Sequence, residues 1–478
     1  MNIMDFRKFL SEYIESNSAD YTHISDEIWG FAEPRFREYK SSEIQQDYMK
    51  KQGFKVTSDL AGQETAFIAE YGSGRPIIAF LGEFDSLSGL SQEADVDKHT
   101  PIEPGGEGHG CGHQLLGAAA LAATVALKEL MVQNNLPGTI RYYGCPAEEN
   151  AGGKGYLVRD GFFNDCDLAL TWHPSTVNKA TGHGSLANFR VFFDFHGTSS
   201  HAAGAPHLGR SALDAVELMN VGVNYMREHM ISDARVHYAV TDTGGTAPNV
   251  VQSYAQVLYA VRAPKVVLVK ELFERVCDIA RGAALMTQTK VDIRQVAAYS
   301  DYIGNDSIAL KLDANLDYFL PLDYSKDELE YANKFKNVIT DLDKANIKPF
   351  AEYIVGKQKA KEIVDEPIFN FKASYNPIAK AGGSTDVGDV SWVVPTGQFS
   401  TVTWAAGTAG HSWQAVAQGK STIAHKGMLL AAKVLACTGY EYLMDMNLVE
   451  EAKKTWLKAL DGETYPNPLP VDLKPGQW

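Results

Sequence analysis

Cys111 and His113 stand two residues apart in Gly105-Gly106-Glu107-Gly108-His109-Gly110-Cys111-Gly112-His113, where five of nine residues are glycine. So much glycine describes a backbone that takes unusual φ/ψ values or comes very close to something. Three further stretches put a carboxylate or an imidazole just behind an apolar run. Glu148-Glu149 follows Thr139–Cys145 and Pro146, His173 follows Leu168–Trp172, and His411 follows Phe399–Trp404 in Gly407-Thr408-Ala409-Gly410-His411. Each has a plain explanation when taken singly: a turn with a buried cysteine, a solvated acidic pair, a histidine satisfied at a strand end. Together, Cys111, His113, Glu149, His173 and His411 form a thiolate, imidazole and carboxylate set suited to Zn²⁺ or Mn²⁺. If one ligand bridges, the set divides between two ions about 3.5–4 Å apart that share a water and lower its pKa. Glu148 can face away from its neighbour, act as general base and return the proton to a leaving amine. That chemistry is metal-assisted amide hydrolysis.

Such residues need carriers. Apolar residues at helical spacing (Phe6, Phe9, Leu10, Tyr13, Ile14) predict helices within residues 5–51, with further runs at Tyr21–Phe31 and Ser42–Lys51. Strands are expected at Lys55–Thr57, Ala66–Tyr71 and Pro76–Gly82, the last apolar on both faces like a central strand. It runs into Gly82-Glu83-Phe84-Asp85, a first acidic pair. Behind His113 an alanine-rich helix carries Leu115, Leu116, Ala119, Ala122 and Ala123 on one side. In open α/β sheets, sites form beyond the carboxyl ends of the strands. Asp85, Cys111, His113, Glu148, Glu149, His173 and His411 all belong to segments of that kind.

From Asn188 to about Tyr302 the texture changes to strand, helix, strand, strand, helix, strand, the split βαβ order. The expected division is therefore 1–186 and 303–478 for a catalytic α/β domain and 187–302 for an inserted ferredoxin-like α+β domain. Beyond it the sequence predicts a long helix at Lys326–Ala345, a charged segment at Lys357–Glu366, a loop at Ala381–Asp389, a closing helix near Lys420–Cys437 and an extended proline-bearing tail.

The 478 residues are long enough for two or three domains and carry ordinary proportions, 45% hydrophobic and 22% charged. A net charge of −15 argues against nucleic acid or an anionic membrane as main partner. No apolar run reads as a membrane span, and Met1–Asp20 lacks the layout of a signal peptide. Five scattered cysteines do not suggest a disulfide framework, so a cytoplasmic location is expected.

The segments Gly110-Cys111-Gly112-His113, Pro146-Ala147-Glu148-Glu149, Trp172-His173-Pro174 and Gly410-His411-Ser412 resemble those of the dinuclear metal amidohydrolases, a superfamily with aminoacylases, indoleacetyl-amino-acid hydrolases and carboxypeptidase G. Gly82–Gln92 and Gly383–Trp392 look most like the B-type branch of aminobenzoyl-glutamate hydrolases. The resemblance spans nearly the whole chain. It implies a helix-covered mixed sheet of metallopeptidase type with an inserted lid and dimerisation domain. Cys111 would bridge two divalent ions, Mn²⁺ or Zn²⁺, with Glu149 and His411 completing one and His113 and His173 the other. Glu148 falls on the general base and Asp85 on the acid that orients a ligand. His201, in Gly197–Ala203, falls on a histidine that stabilises the oxyanion, often across a dimer. Asn249 and Arg262 match lid positions that touch substrate, and Gly383 and Ser384 lie in the matching glycine-rich loop. The implied substrate is an N-acyl amino acid, p-aminobenzoyl-glutamate foremost, with a homodimer through the inserted domain or a heteromer with an A-type subunit.

The chain departs from much of the superfamily at Gln114-Leu115-Leu116, where an acid and another histidine are usual, and at Thr385, where a glutamate is usual. Both departures bear on the substrate pocket. An aminoacylase or dipeptidase with another acyl group, a subunit active only with its A-type partner, and a cysteine-nucleophile hydrolase using Cys111 and His113 are the competing readings. The last leaves Glu148-Glu149 and His411 without a purpose.

Overall fold

The computed structural model describes residues 6–182, 184–377 and 383–477. Asp5, where the first helical run was expected to open, and Ala381 and Gly382 of the expected loop lie outside the described residues. Eleven strands are β1 (Lys55–Leu60), β2 (Gln63–Ser73), β3 (Ile77–Glu83), β4 (Gly138–Cys145), β5 (Leu168–Ser175), β6 (Lys179–Thr181), β7 (Ala187–His196), β8 (Arg235–Asp242), β9 (Tyr254–Ala263), β10 (Lys290–Tyr299) and β11 (Thr396–Val402). They form two sheets, a seven-stranded one ordered β1-β2-β4-β3-β5-β11-β6 and a four-stranded one ordered β10-β7-β9-β8.

The large sheet is mixed. β4, β3, β5 and β11 run parallel, while β1, β2 and β6 are antiparallel to their neighbours. The apolar runs of β3 and β4 end up buried on both faces, as parallel central strands must be. Against one face lies the helix His113–Asn134, packed on β3, β4 and β5 and on the helix Thr422–Met444. The core here includes Phe80, Leu121, Leu127, Leu170 and Leu435. Contrary to the sequence expectation, His113–Asn134 has the length and apolarity of a membrane span; its alanines disguise this, and it is largely buried in the core. At Gly117 an added Cβ would come within 2.6 Å of the Glu83 carbonyl, so small residues let this helix lie directly on the sheet.

The small sheet is wholly antiparallel, and its two helices, Ala212–Met226 and Val266–Thr287, pack on one face around Val216, Met219, Val257, Val276 and Ala280. Its strand order is that of the split βαβ arrangement.

Local differences have local causes. The expected helix at Lys326–Ala345 is two, Lys326–Val338 and Asp341–Val355, because extended Ile339 and Thr340, the latter in a capping box with Asp343, end one and start the next. The charged segment contains a short helix, Lys357–Ile363. Helices Asp306–Phe319 and Met446–Leu460 and the short strand β6 lie beyond what the sequence pattern predicts.

Candidate active site

The parallel strands β3, β4, β5 and β11 deliver their carboxyl ends to one edge of the large sheet. β3 ends at Glu83, two residues before Asp85; β4 leads into Glu148-Glu149; β5 carries His173; the loop beyond β11 carries His411. Cys111 arrives from the glycine-rich loop, and His113 opens the long helix. Gly112 takes φ +78°, and a Cβ there would sit 2.9 Å from the Pro174 side chain, so glycine is required where the loop crosses β5.

These side chains converge. Cys111, His113 and His173 present ligand atoms within 4.8 Å of one another, and so do Cys111, Glu149 and His411. Cys111 belongs to both groups. Its Sγ lies 3.3 Å from His173 Nε2. His173 Nδ1 donates to the Pro174 carbonyl at 2.8 Å, and His113 Nδ1 donates to Asp85 Oδ1 at 2.9 Å, so both rings turn Nε2 inward. His411 Nε2 lies 3.3 Å from Glu149 Oε1. His113 Nε2 and Glu149 Oε1 are buried without a well-directed hydrogen bond, and their nearest polar neighbours are Glu83 Oε2 at 3.2 Å and His411 Nε2 at 3.3 Å. Orphaned buried donors and acceptors of this kind, around a thiol shared by two ligand groups, are what a pair of divalent ions would satisfy.

The electrostatics agree. Burial alone would raise the Cys111 thiol, but the His173 and His113 imidazoles overcome it and hold it at about 6. Burial likewise opposes ionisation of Glu149, yet His411 and His113 hold that carboxyl at about 2. Glu148 goes the other way: burial and the charges of Glu83, Glu149 and Asp386 push it well above the usual carboxylate range. Two adjacent carboxylates are thus set apart, one kept ionised and one able to hold a proton. Their loop is strained, with Ala147 at φ 59° and Asn150 at φ 70°. It is pinned by three bonds: Ala147 N–H to buried Glu38, Glu149 N–H to Asp85 Oδ2 and the Tyr299 hydroxyl to the Glu148 carbonyl.

A cavity of about 550 Å³ opens over Cys111, Glu148, Glu149, His173 and His411 and is walled on its other side by β7 and β9. Arg262, Gly383 and Ser384 line it, and Arg262 Nη1 donates to Ser384 Oγ at 3.3 Å. His201 and Asn249 do not line it. They are exposed neighbours in the loops that flank the four-stranded sheet, bridged through His201 and Val250. Several functional groups escape sequence reasoning. Glu83 reads there only as half of an acidic pair; its Oε1 accepts from Lys154 Nζ at 2.5 Å, and Lys154 also pairs with Asp386 at 2.7 Å. Arg190, Asn150 and Tyr299, which also line the cavity, carry no motif.

The profile of peptidase family M20/M25/M40 matches residues 79–353. The B-type subunit of the p-aminobenzoyl-glutamate hydrolase of Escherichia coli is 41% identical over 99% of both chains. A mouse Xaa-Arg dipeptidase is 29% identical over 85% of this chain and 81% of its own. Among solved structures, an aminobenzoyl-glutamate utilization protein from Klebsiella pneumoniae shares the fold with a TM-score of 0.58 at 18% identity, over 90% of this chain and 98% of that one. A strand-edge cluster of thiolate, imidazole and paired carboxylates on this fold, with these likenesses along its length, places the chain in peptidase family M20/M25/M40, as a hydrolase of amide bonds.

Proposed function

We propose that this protein cleaves the amide bond of N-acyl amino acids, p-aminobenzoyl-glutamate foremost, with two divalent ions, Mn²⁺ or Zn²⁺. Cys111, Glu149 and His411 would hold one ion, and Cys111, His113 and His173 the other. The observation that carries the reading is the thiol of Cys111, common to both ligand groups, beside the separately tuned Glu148. When bound, such a pair supplies Lewis acidity to the scissile carbonyl and to water. Glu148, with Oε2 4.0 Å from His113 Nε2, takes the proton of the attacking water and returns it to the leaving amine. Asp85 fixes the His113 tautomer and ties it to the Glu149 backbone. Arg262, Ser384 and Gly383 receive the amino-acid carboxylate.

His201 and Asn249 act from a second protomer in this reading. His201 Nδ1 accepts from the backbone N–H groups of Ala203 and Gly204, which leaves Nε2 as the outward donor suited to an oxyanion. The inserted unit offers the surface for a dimer: β8, paired with β9 on one side, is the edge strand of its sheet with Tyr238 38% and Val240 42% exposed, and Val221 and Tyr225 of the helix Ala212–Met226 are exposed as well. Cys111, Cys145, Cys166 and Cys277 are free thiols, which suits a reducing cytoplasm. A second reading, dependence on an A-type partner, draws on the name of the Escherichia coli relative, which is the B-type subunit of its hydrolase.

The test is to purify the chain alone, strip it, restore Mn²⁺ or Zn²⁺ and follow glutamate release from aminobenzoyl-glutamate beside a panel of N-acyl amino acids. Metal-dependent release that vanishes in Glu148→Ala supports the proposal. Silence across the panel with two metals bound rejects autonomous activity and leaves the partner-dependent reading.

A further inference from the structure

The cavity wall opposite Cys111 carries more positive charge than one carboxylate requires. In the β7–β9 register Asn188 stands across from Arg262, and Arg190 lies two residues along β7 from Asn188. The three side chains therefore share one sheet face, and all three line the cavity. Asn188 is 1% exposed, and its Oδ1 has no partner. The Nε atoms of Arg190 and Arg262 are likewise buried and unsatisfied. Their other contacts are neutral: Arg190 Nη1 donates to Asn150 Oδ1 and Arg262 Nη1 to Ser384 Oγ. Among the described residues no carboxylate forms an ion pair with either guanidinium. Burial and then the nearby charge of Arg190 hold Arg262 below the usual arginine range, so the two cations strain against each other. Only Tyr299 and Glu148 oppose this at Arg262, and desolvated like charges without an ion pair persist where an anionic ligand completes them.

We propose that Arg190 is a specificity residue of that same site: it receives the second carboxylate of an acidic amino-acid half, the one carried on the side chain. The inference rests on the hydrolase reading above, in which Arg262 takes the α-carboxylate. A guanidinium presents a planar fork to a carboxylate, which a neutral amide side chain cannot match. Asn150, the present partner of Arg190, directly follows Glu148-Glu149, so the same arginine joins the acid-reading wall to the base-carrying loop.

The experiment compares kcat/KM of the metal-loaded full chain for matched N-acyl-glutamate and N-acyl-glutamine substrates in wild type, Arg190→Gln and Arg190→Lys. Wild type is expected to prefer glutamate. The preference should shrink roughly 10- to 100-fold in Arg190→Gln, the weight of a charge-assisted hydrogen bond, mainly through KM of the acidic substrate. Arg190→Lys should recover part of it. An unchanged ratio, with both substrates falling in parallel, would make Arg190 a mere anchor of the Asn150 loop and overturn the proposal. If wild type alone hydrolyses nothing, its autonomous activity fails separately, and calorimetric titration with glutarate and butyrate decides. Selective glutarate binding that weakens in Arg190→Gln supports the subsite, and equal or absent binding refutes it.

Discussion

Replacing Lys154 with methionine removes the one ammonium buried completely among the described residues. Its Nζ lies 2.5 Å from Glu83 and 2.7 Å from Asp386, and these carboxylates are 3% and 0% exposed at their side chains. Methionine fills nearly the same volume, so the packing loss is small and the charge imbalance dominates. Breaking a buried pair by removing one member costs about 3–5 kcal/mol, because the remaining charge stays desolvated. Here two carboxylates remain, so the upper end of that range is expected, read as a lower urea midpoint of the full chain. Adding Asp386→Asn removes one stranded charge, and the double variant should recover on the order of 2 kcal/mol. Function should suffer as well: Glu83 Oε2 is 3.2 Å from His113 Nε2, and an unbalanced Glu83 would disturb that ring. A Lys154→Met protein within about 1 kcal/mol of wild type, with no coupling to Asp386, would refute the view that this triad holds the strand edge together.

Cys111→Ser should lower metal content at both sites together, measured by elemental analysis after dialysis, because its sulfur belongs to both ligand groups. Chelation should lower the unfolding midpoint of the wild type; at 100–1,000 times Kd, metal contributes about 2.7–4.1 kcal/mol. Asp389 gives a pH signature. Burial raises its carboxyl from 3.8 to about 7, so the folded chain binds that proton more tightly than the unfolded chain. The resulting stabilisation is complete below about 3.8 and is lost as pH rises through about 7, on the order of 4 kcal/mol in all. Asp389→Asn should flatten the dependence of the urea midpoint on pH across that window, and an undiminished slope would assign it elsewhere. Val240→Lys puts a charge on the exposed edge strand, and under the proposed dimer it should shift sedimentation toward the monomer; a dimer of unchanged strength moves the interface off β8.

Much of the catalytic unit was legible because β3, β4 and β5 are apolar runs that stop at charged residues. A buried parallel strand has few other ways to look. The four-stranded antiparallel sheet was legible from alternation, as in Val257, Tyr259 and Val261, all buried on one face of β9. What stayed hidden depends on distance along the chain. Asp386 meets Lys154 across 232 residues, and Glu38 reaches Ala147 across 109, so no local pattern marks either pair. Arg190 sits in Phe189-Arg190-Val191-Phe192-Phe193, where a single charge reads as the solvated side of a strand; that side faces the cavity instead. His201 and Asn249 were reached through resemblance alone, and their exposure in one chain explains why local chemistry could not have found them.

The charge distribution around the strand edge supplies an argument for metal that does not use relatives. Glu83, Asp85, Glu149 and Asp386 are each 7% exposed or less, and Glu148 is 11% exposed at its side chain. Against these five carboxylates, and the Cys111 thiol held near 6, stand one buried ammonium and three imidazoles, with the guanidiniums of Arg190 and Arg262 on the cavity wall beside Glu148. Lys154 balances Glu83 and Asp386 on the far side, leaving Asp85, Glu149 and the thiolate to be met by His113, His173 and His411. Imidazoles can meet that charge only by holding protons, and a protonated ring has no lone pair for a ligand bond. Divalent ions provide the positive charge and leave the rings neutral. The same substitution frees Glu148 from the competition for protons among its neighbours, so the groups that would bind the ions and the group that would move the proton depend on one charge balance.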